Sequence, residues 1–188
     1  SIVQGGDAGS AEGDFATSLI WSSRKNQELP LLLIVTNNRY GISTPYAEQH
    51  GYDHISDRGK AFNMPTAVID GNDPEAAYAG LQTALHYVRT ERKPYLLEAM
   101  VSRLYGHSSA SGANFVKDEA DCLARFERKL EERKLRTRSE MDEMRAKYTQ
   151  ELLEASKRVR EEPQPKGESI WDYVFADTNH VATAPKEG

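Results

Sequence analysis

The sequence predicts an α/β fold, a doubly wound parallel sheet followed by a helical C-terminal appendage. Apolar runs of strand length alternate with segments of helix length, which indicates the strand-helix-strand units of a parallel sheet. The apolar run at 31–35 is continuous, as in strands that are covered on both faces. After residue 116 the composition shifts to Glu, Arg, Lys, Leu and Met, which is typical of amphipathic helices. With 188 residues, the chain is long enough for one well-buried domain plus an appendage.

The first part of the chain predicts one strand-helix-strand unit. Residues 2–3 are expected to end a buried strand. Because no sequence that could pair with this strand precedes it, we expect a fragment that lacks its N-terminal part. From Asp14 onward, apolar residues recur at helical spacing, which predicts a helix. Pro30 then precedes the second strand at 31–35.

The next part predicts a second unit of the same kind. The apolar run at 66–69 is a strand, and the turn after it leads into a helix at 75–92. Asp73 is placed to cap this helix, with Pro74 at its first position. A further strand is predicted at 95–101. Ligands of such a sheet bind beyond the carboxyl ends of its strands.

The remaining residues predict a helical appendage. Thr137 and Glu140 resemble a capping box, which divides the appendage into two helices. These helices are either a pair that binds a partner or a solvated tail with one face on its own domain. Three regions are expected on this basis: an N-terminally incomplete α/β core at 1–116, an amphipathic helical appendage at 117–162, and a Pro-containing docking segment and linker at 163–188.

Composition argues against several classes of function. The 29 acidic and 24 basic residues give a formal charge of -5, and no region is basic enough to indicate a nucleic-acid-binding surface. The single cysteine, Cys122, cannot form an internal disulfide, which favours a reducing compartment. No apolar run approaches the roughly 20 residues that span a bilayer. We therefore expect a protein that binds neither nucleic acid nor membrane.

A turn of small residues at 6–13 follows the first strand and carries Asp7. Backbone N–H groups of such a turn, and of the helix that begins nearby, can approach a phosphate closely. Because a carboxylate repels bare phosphate, Asp7 indicates a bridging divalent cation such as magnesium. The turn lacks the order of glycines of a dinucleotide fingerprint and the Gly-Lys-Ser/Thr of a P-loop. The alternative is an ordinary turn in which Asp7 or Asp14 caps the helix.

A second polar cluster, at 37–41, follows the buried strand 31–35. Since the carboxyl ends of parallel strands meet at one edge of a sheet, the amide oxygen of Asn38 and a carbonyl around Tyr40 are placed to meet Asp7. The sequence thus predicts a magnesium-diphosphate site. The alternative is a polar turn without a ligand.

A third segment, at 103–112, is rich in glycine and serine and predicts a loop after the strand at 95–101. It carries His107 close to the predicted site. A loop histidine of this kind is usually only solvated, so its position alone does not indicate a catalytic role.

Together these segments resemble a known family. The pairs Gly6-Asp7 and Asn37-Asn38 resemble the thiamine diphosphate motif. The run 37–45, NNRYGISTP, is similar to the E1 alpha subunit of 2-oxo acid dehydrogenase complexes, in particular to the branched-chain 2-oxoisovalerate type. The resemblance implies the thiamine-diphosphate-binding fold. Further matches follow in order: Glu48-Gln49, Arg58-Gly59, Ile69 to Asp73, Lys93-Pro94, Glu98 to Met100 and Gly106 to Ser108.

The resemblance implies a set of cofactor-binding residues. Asp7, Asn38 and the main-chain carbonyl of Tyr40 would bind Mg²⁺, which in turn holds the diphosphate of thiamine diphosphate. Further residues would line the diphosphate pocket through backbone atoms: Gly6, Ala8, Gly9, Gly41 and Ile42. Ala8 stands where the family often has glycine.

The resemblance also implies roles for the third segment. His107 looks like the active-site histidine that contacts the cofactor and assists acyl transfer to lipoate, with Arg103 as its companion. Ser108 corresponds to the serine that kinases modify in mitochondrial relatives, where a phosphate would crowd the diphosphate.

The function implied is oxidative decarboxylation of a 2-oxo acid, with acylation of the lipoyl groups of an E2 partner. An E1 beta subunit, separate or fused, would supply the rest of each active site in an alpha2beta2 assembly. The alternatives are the pyruvate dehydrogenase E1 alpha subunit and a non-catalytic helical interaction module. We expect a bacterial cytoplasmic protein, the mitochondrial matrix being the eukaryotic alternative.

Overall fold

The computed structural model describes residues 1–108 and 115–172 of the chain. The chain divides into two compact units, Ser1–Leu135 and Arg136–Gly188. Part of the predicted histidine loop, at 109–112, and most of the predicted docking segment and linker, from 173 onward, lie outside the described residues. The predicted division into three regions remains a prediction.

The first unit contains the sheet and most of the helices. Its elements in chain order are β1 (Ile2–Gly6), α1 (Gly13–Ser22), β2 (Leu32–Asn37), β3 (Tyr40–Gly41), β4 (Thr44–Pro45), α2 (Tyr46–Gln49), α3 (Asp57–Lys60), β5 (Thr66–Asp70), α4 (Pro74–Thr90), β6 (Tyr95–Met100) and α5 (Cys122–Glu132). The second unit contains α6 (Arg138–Glu161). Two short 3₁₀ helices lie at Ala8–Ala11 and Gly167–Trp171.

Four strands form a parallel sheet in the spatial order β1, β2, β6, β5. Gly6 lies opposite Thr36, while Asn37 and Asp70 both lie opposite Met100. The carboxyl ends of all four strands therefore meet at one edge. β1 is an edge strand whose residues are all exposed, so the expectation of a buried strand at 2–3 was wrong for the described residues.

Helices cover both faces of this sheet. Successive side chains of a strand point to opposite faces, and Leu32 and Leu33 of β2 accordingly belong to different apolar clusters. Leu19 of α1 packs in the cluster of Leu33, whereas Val88 of α4 packs in the cluster of Leu32. This arrangement confirms the predicted doubly wound parallel sheet.

Local signals locate the starts of two helices correctly. The Asp73 side chain accepts a hydrogen bond of 3.0 Å from the backbone N–H of Glu75, and Pro74 is the first residue of α4. The α6 helix begins with a complete capping box, in which Thr137 and Glu140 each bind the other's backbone N–H. Both capping predictions are confirmed.

The α5 helix is fixed to the turn between β5 and α4 by a set of ion pairs that we call the α5 ladder. Its cations are spaced four residues apart and so lie on one face of the helix. Lys129 Nζ lies 2.6 Å from Asp73 Oδ2 and 3.2 Å from Glu75 Oε2. The other pairs join Arg125 to Asp70, at 3.6 Å, and Arg133 to Glu75.

The ladder predicts a pH-dependent stability. A hydrogen bond from Lys129 is the main cause that lowers the pKa of Asp73, and hydrogen bonds from Arg133 and then Lys129 lower the pKa of Glu75. A carboxyl group whose pKa is lowered by folding stabilises the fold above its unfolded pKa of about 4. That contribution is lost as the pH falls through the folded pKa.

Lys129→Met is therefore expected to lower the free energy of unfolding at neutral pH. The difference from wild type should shrink as the pH is lowered from about 6 to about 2, as urea unfolding at a series of pH values would measure. Lys157→Met, at an exposed position of α6, is the control and should show no such trend. A difference for Lys129→Met that is constant over this range would contradict the role of the ladder.

Candidate active site

Asp7 directly follows β1 and is 2% exposed. Its main-chain oxygen accepts hydrogen bonds from Ser10 Oγ, at 2.6 Å, and Ser10 N, at 3.0 Å, and His50 Nε2 lies 3.2 Å away. Its side chain accepts no capping bond, and Oδ2 has no hydrogen-bond partner among the described residues. A buried carboxylate oxygen without a partner is costly, so the environment of Asp7 Oδ2 suits a cation.

The polar cluster after β2 is held in a tight turn by two hydrogen bonds from backbone to side chain. Asn37 Oδ1 accepts from Arg39 N and Asn38 Oδ1 accepts from Tyr40 N, both at 2.9 Å. Arg39 has a φ of 60°, in the left-handed region, which these bonds stabilise. An amide oxygen has two lone pairs, so Asn38 keeps one for a further ligand.

The two predicted halves of the site lie side by side. A Cβ atom added at Gly41 would lie 2.9 Å from the Ala8 Cβ and 2.7 Å from Gln49 Nε2. Such distances are shorter than ordinary contacts, so the Gly41 backbone already touches the turn after β1. Gly6 and Gly9 have open space around them, and Ile42 is 68% exposed in the connection between β3 and β4.

Gly41→Ala tests this close approach. The added methyl group is expected to lower the free energy of unfolding by about 1–3 kcal/mol, since the Ala8 Cβ moves only with its backbone. Gly13→Ala is the matched control, because a Cβ there meets nothing within 4 Å and the residue begins α1. It should leave stability unchanged or raise it. Equal stability of both variants in urea would contradict the contact.

Glu98, in the middle of β6, is fully buried at 0% exposure. Its Oε1 accepts a hydrogen bond of 2.7 Å from Asn37 Nδ2, and its Oε2 accepts one of 2.8 Å from Ser56 N. Burial, and next the Glu98 carboxylate, raise the pKa of Tyr46 to about 12. Glu98 and Asn37 lie in segments that match the family, but neither was among the predicted site residues. A glutamate inside an apolar strand is itself a signal, since buried carboxylates require partners.

The segment after β6 brings Arg103 and His107 to the same edge. The Arg103 guanidinium carbon lies 4.4 Å from the centre of the Tyr40 ring, and the His107 ring centre lies 5.9 Å from it. His107 Nδ1 and Arg103 Nε are buried without a hydrogen-bond partner among the described residues. Both side chains are thus positioned next to the polar cluster after β2.

This segment leaves the sheet through a fixed point. Ser102 N donates to Asn72 Oδ1, and Asn72 Nδ2 donates to Ser102 Oγ, both at 2.9 Å. Asn72 lies in the turn between β5 and α4, which also binds the α5 ladder. The turn therefore holds the chain on both sides of the residues that follow Ser102.

The donor set suits magnesium better than a softer metal. Residues 1–108 and 115–172 contain no group of three or more His, Cys, Asp or Glu side chains able to hold a metal. The predicted set has only one carboxylate, at Asp7, with an amide and a main-chain carbonyl, which are the hard oxygen ligands that magnesium accepts alongside water and phosphate.

No helix within residues 1–108 and 115–172 is long and apolar enough to cross a membrane.

Comparison with known proteins gives consistent matches. Over 188 residues the chain is 30% identical to the 2-oxoisovalerate dehydrogenase subunit alpha of Bacillus subtilis (strain 168), covering 94% of this chain and 55% of that protein. It is 27% identical over 184 residues to the mitochondrial 2-oxoisovalerate dehydrogenase subunit alpha 2 of Arabidopsis thaliana, covering 93% and 39%. It is also 27% identical over 190 residues to the pyruvate dehydrogenase E1 component subunit alpha of Bacillus subtilis, covering 96% and 50%.

These relatives are alpha subunits of both predicted types, and the chain spans 39% to 55% of their length. They include bacterial and mitochondrial proteins, so they give no support to the predicted bacterial origin. The family model for the dehydrogenase E1 component matches residues 1–168. The chain therefore belongs to the dehydrogenase E1 component family and is similar to its alpha subunits.

Proposed function

We propose that this chain is the diphosphate-binding part of an E1 alpha subunit that decarboxylates a 2-oxo acid with thiamine diphosphate and Mg²⁺. The observation that carries the proposal is the buried Asp7 carboxylate, whose Oδ2 has no hydrogen-bond partner among the described residues, at the strand edge that Asn38 and Tyr40 also occupy. Family membership supports the same interpretation.

In this proposal Asp7, Asn38 and the carbonyl of Tyr40 bind the metal, and the backbone of the two adjoining turns binds the diphosphate. The metal offsets the repulsion between carboxylate and phosphate. The residues of the diphosphate pocket are Gly6, Ala8, Gly9, Gly41 and Ile42. When bound, thiamine diphosphate supplies the electron-accepting ring that decarboxylation of a 2-oxo acid requires.

His107 and Arg103 are proposed to act at the step that transfers the acyl group to lipoate. A histidine can give up or take a proton near neutral pH, which suits a reaction in which a lipoyl sulfur gains a proton. The buried Nδ1 of His107 without a partner among the described residues leaves that atom available to a ligand. Arg103, stacked on Tyr40, holds the start of the loop against the site.

The partners proposed are an E1 beta subunit, separate or fused, which forms an alpha2beta2 assembly with this chain, and a lipoyl-bearing E2 protein.

Among substrates we favour a branched-chain 2-oxo acid, because the run Ile42 to Pro45 resembles that type and the 2-oxoisovalerate subunits are among the relatives. Pyruvate is the alternative, since a pyruvate dehydrogenase subunit is also similar. Steady-state turnover of both acids by the complete complex distinguishes the two. A bacterial cytoplasm remains the proposed location.

A calorimetric titration of thiamine diphosphate into the complete alpha-beta assembly, with and without Mg²⁺, tests the proposal. We expect thiamine diphosphate to bind only when Mg²⁺ is present. A titration that shows no magnesium-dependent binding would overturn the proposal.

A second candidate, a non-catalytic helical interaction module, is favoured by the exposed apolar side chains of α6, among them Tyr148 and Leu152. An assembly that forms and yet binds no cofactor would support this second candidate.

A further inference from the structure

Glu98 is a fully buried acidic group that the proposed function leaves without a role. It lies in a central strand of the sheet with both neighbouring strands paired, and it is inaccessible to a ligand. Both of its oxygens accept hydrogen bonds, from two segments that are remote in sequence. Glu98 therefore acts on the protein through these two hydrogen-bond partners.

The first partner leads to the turn after β2. Asn37 donates its amide hydrogen to Glu98 Oε1, and this bond fixes which end of the amide faces the turn. The opposite end, Asn37 Oδ1, accepts the N–H of Arg39. Because Arg39 has a positive φ, the turn needs this bond to hold its conformation. Through Asn37, Glu98 thus stabilises the conformation of the turn that carries Asn38 and Tyr40.

The second partner leads to the turn after β1. Ser56, whose N–H donates to Glu98 Oε2, directly precedes α3, so the bond fixes the start of that helix. Arg58 of α3 donates to the main-chain oxygen of Ser10. Ser10 in turn donates its hydroxyl to the main-chain oxygen of Asp7.

The α3 helix has little freedom to shift without breaking this path. A Cβ added at Gly59 would lie 2.7 Å from Thr66 Cγ2 and 3.3 Å from Leu96 Cδ2, so the helix is packed tightly on β5 and β6. The Arg58 guanidinium also lies 4.9 Å from the centre of the Phe15 ring. The path from Glu98 to Asp7 thus runs through well-packed residues.

We propose that Glu98 is a positioning residue that holds both halves of the metal-diphosphate site, through Asn37 on one side and Ser56 on the other. This inference rests on the proposed function. It assigns Glu98 no contact with cofactor or substrate: the carboxylate acts as an acceptor for two N–H donors, and it orients the segments that carry Asp7, Asn38 and Tyr40.

The hydrogen-bond directions make Glu98→Gln a sharp test. The amide has nearly the same shape as the carboxylate but only one acceptor oxygen. Whichever way it is turned, its NH₂ group faces a donor, either Asn37 Nδ2 or Ser56 N. If the Asn37 side chain flips to accept a hydrogen bond from the new amide, its own NH₂ group then faces the N–H of Arg39. Each arrangement leaves one bond of the network broken.

A second substitution is expected to restore the hydrogen bonds among residues 37, 39, 56 and 98. In the variant Glu98→Gln/Asn37→Asp the amide and the acid exchange places. The glutamine amide then donates to the new carboxylate and accepts from Ser56, while the carboxylate still accepts from Arg39. In Asn37→Asp alone, the new carboxylate faces the Glu98 carboxylate, where the Asn37 amide donates a hydrogen bond of 2.7 Å in wild type. Two like charges at this distance repel each other.

The experiment uses Mn²⁺ as a paramagnetic substitute for Mg²⁺. Its binding to the complete alpha-beta assembly, in the presence of thiamine diphosphate, is measured by the loss of the electron paramagnetic resonance signal of free Mn²⁺. We expect Glu98→Gln to weaken binding by about 10–100-fold, as found for residues that orient metal ligands. Asn37→Asp should weaken it at least as much. The double variant should bind within about threefold of wild type, as strong coupling within one network requires.

A second readout needs no metal. Hydrogen exchange of the segment that contains the Arg39 and Tyr40 amides should be faster in Glu98→Gln than in wild type, and restored in the double variant. Glu91→Gln, at an exposed position after α4, is the matched control and should behave as wild type in both measurements.

The outcomes separate the two hypotheses. If wild type binds no Mn²⁺ with the cofactor, the proposed function fails, and this inference fails with it. If wild type binds and Glu98→Gln binds equally well, only the role of Glu98 is overturned. If the double variant binds Mn²⁺ no more tightly than the single variant with the lower affinity, and its hydrogen exchange is as fast, Glu98 is merely structural. The positioning role is then likewise overturned.

Discussion

Asp7→Asn is expected to weaken magnesium-dependent binding of thiamine diphosphate by at least about 100-fold, the upper end of the loss caused by disturbing residues around a metal. The change removes the only carboxylate of the proposed metal site. Because Oδ2 has no hydrogen-bond partner among the described residues, the fold loses no described bond from that atom. The variant without cofactor should therefore be as stable as wild type or more so, since a buried charge is removed.

Calorimetry on the complete assembly measures the binding, and urea unfolding measures the stability. Asp14→Asn provides the matched control: the same substitution seven positions later, at an exposed residue in the first turn of α1. It should bind the cofactor as wild type does. Cofactor binding that survives in Asp7→Asn would remove Asp7 from the metal site. A variant that fails to fold would show that the carboxylate is structural.

His107→Ala is expected to slow acyl transfer to the lipoyl group by about 10²–10⁴-fold, the usual contribution of a positioned proton donor or acceptor. The affinity for the cofactor should change much less, because the metal and diphosphate are held by other residues. Loss of the imidazole also removes the ring that lies 5.9 Å from Tyr40. Acylation of an isolated lipoyl domain, followed by mass spectrometry, measures the first effect.

Decarboxylation coupled to an artificial electron acceptor should persist in this variant, since that reaction bypasses the lipoyl group. His86→Ala, at an exposed position of α4, is the control and should leave both reactions unchanged. Unchanged turnover of the whole complex by His107→Ala would refute the proposed role. Equal loss of both reactions would place His107 at the cofactor and not at the transfer step.

The sequence predicts well those features that depend on neighbouring residues. Helix starts follow from local capping chemistry, which is why Asp73 and Thr137 could be identified as caps. The buried strand at 31–35 follows from a continuous apolar run, and the structure extends β2 over Leu32–Asn37. Since parallel strands end at one edge, the approach of Asp7 to the turn after β2 also follows from the order of the elements.

Features that depend on remote pairs could not be predicted. Glu98 pairs with Asn37 and with Ser56, and nothing in the sequence specifies which of many polar groups meet across the sheet. The α2 and α3 helices have four residues each, too few to show a helical period. The composition of α5 predicts an amphipathic helix, but it does not show that Lys129 pairs with Asp73, which is 56 residues away in the sequence.

The β5–α4 turn binds the chain that follows β6 at two separate points. Asn72 holds the chain at Ser102 and the α5 ladder holds it again from Arg125 onward, so both ends of the intervening sequence share one anchor. A shift of the β5–α4 turn would therefore displace Ser102 and the α5 helix together.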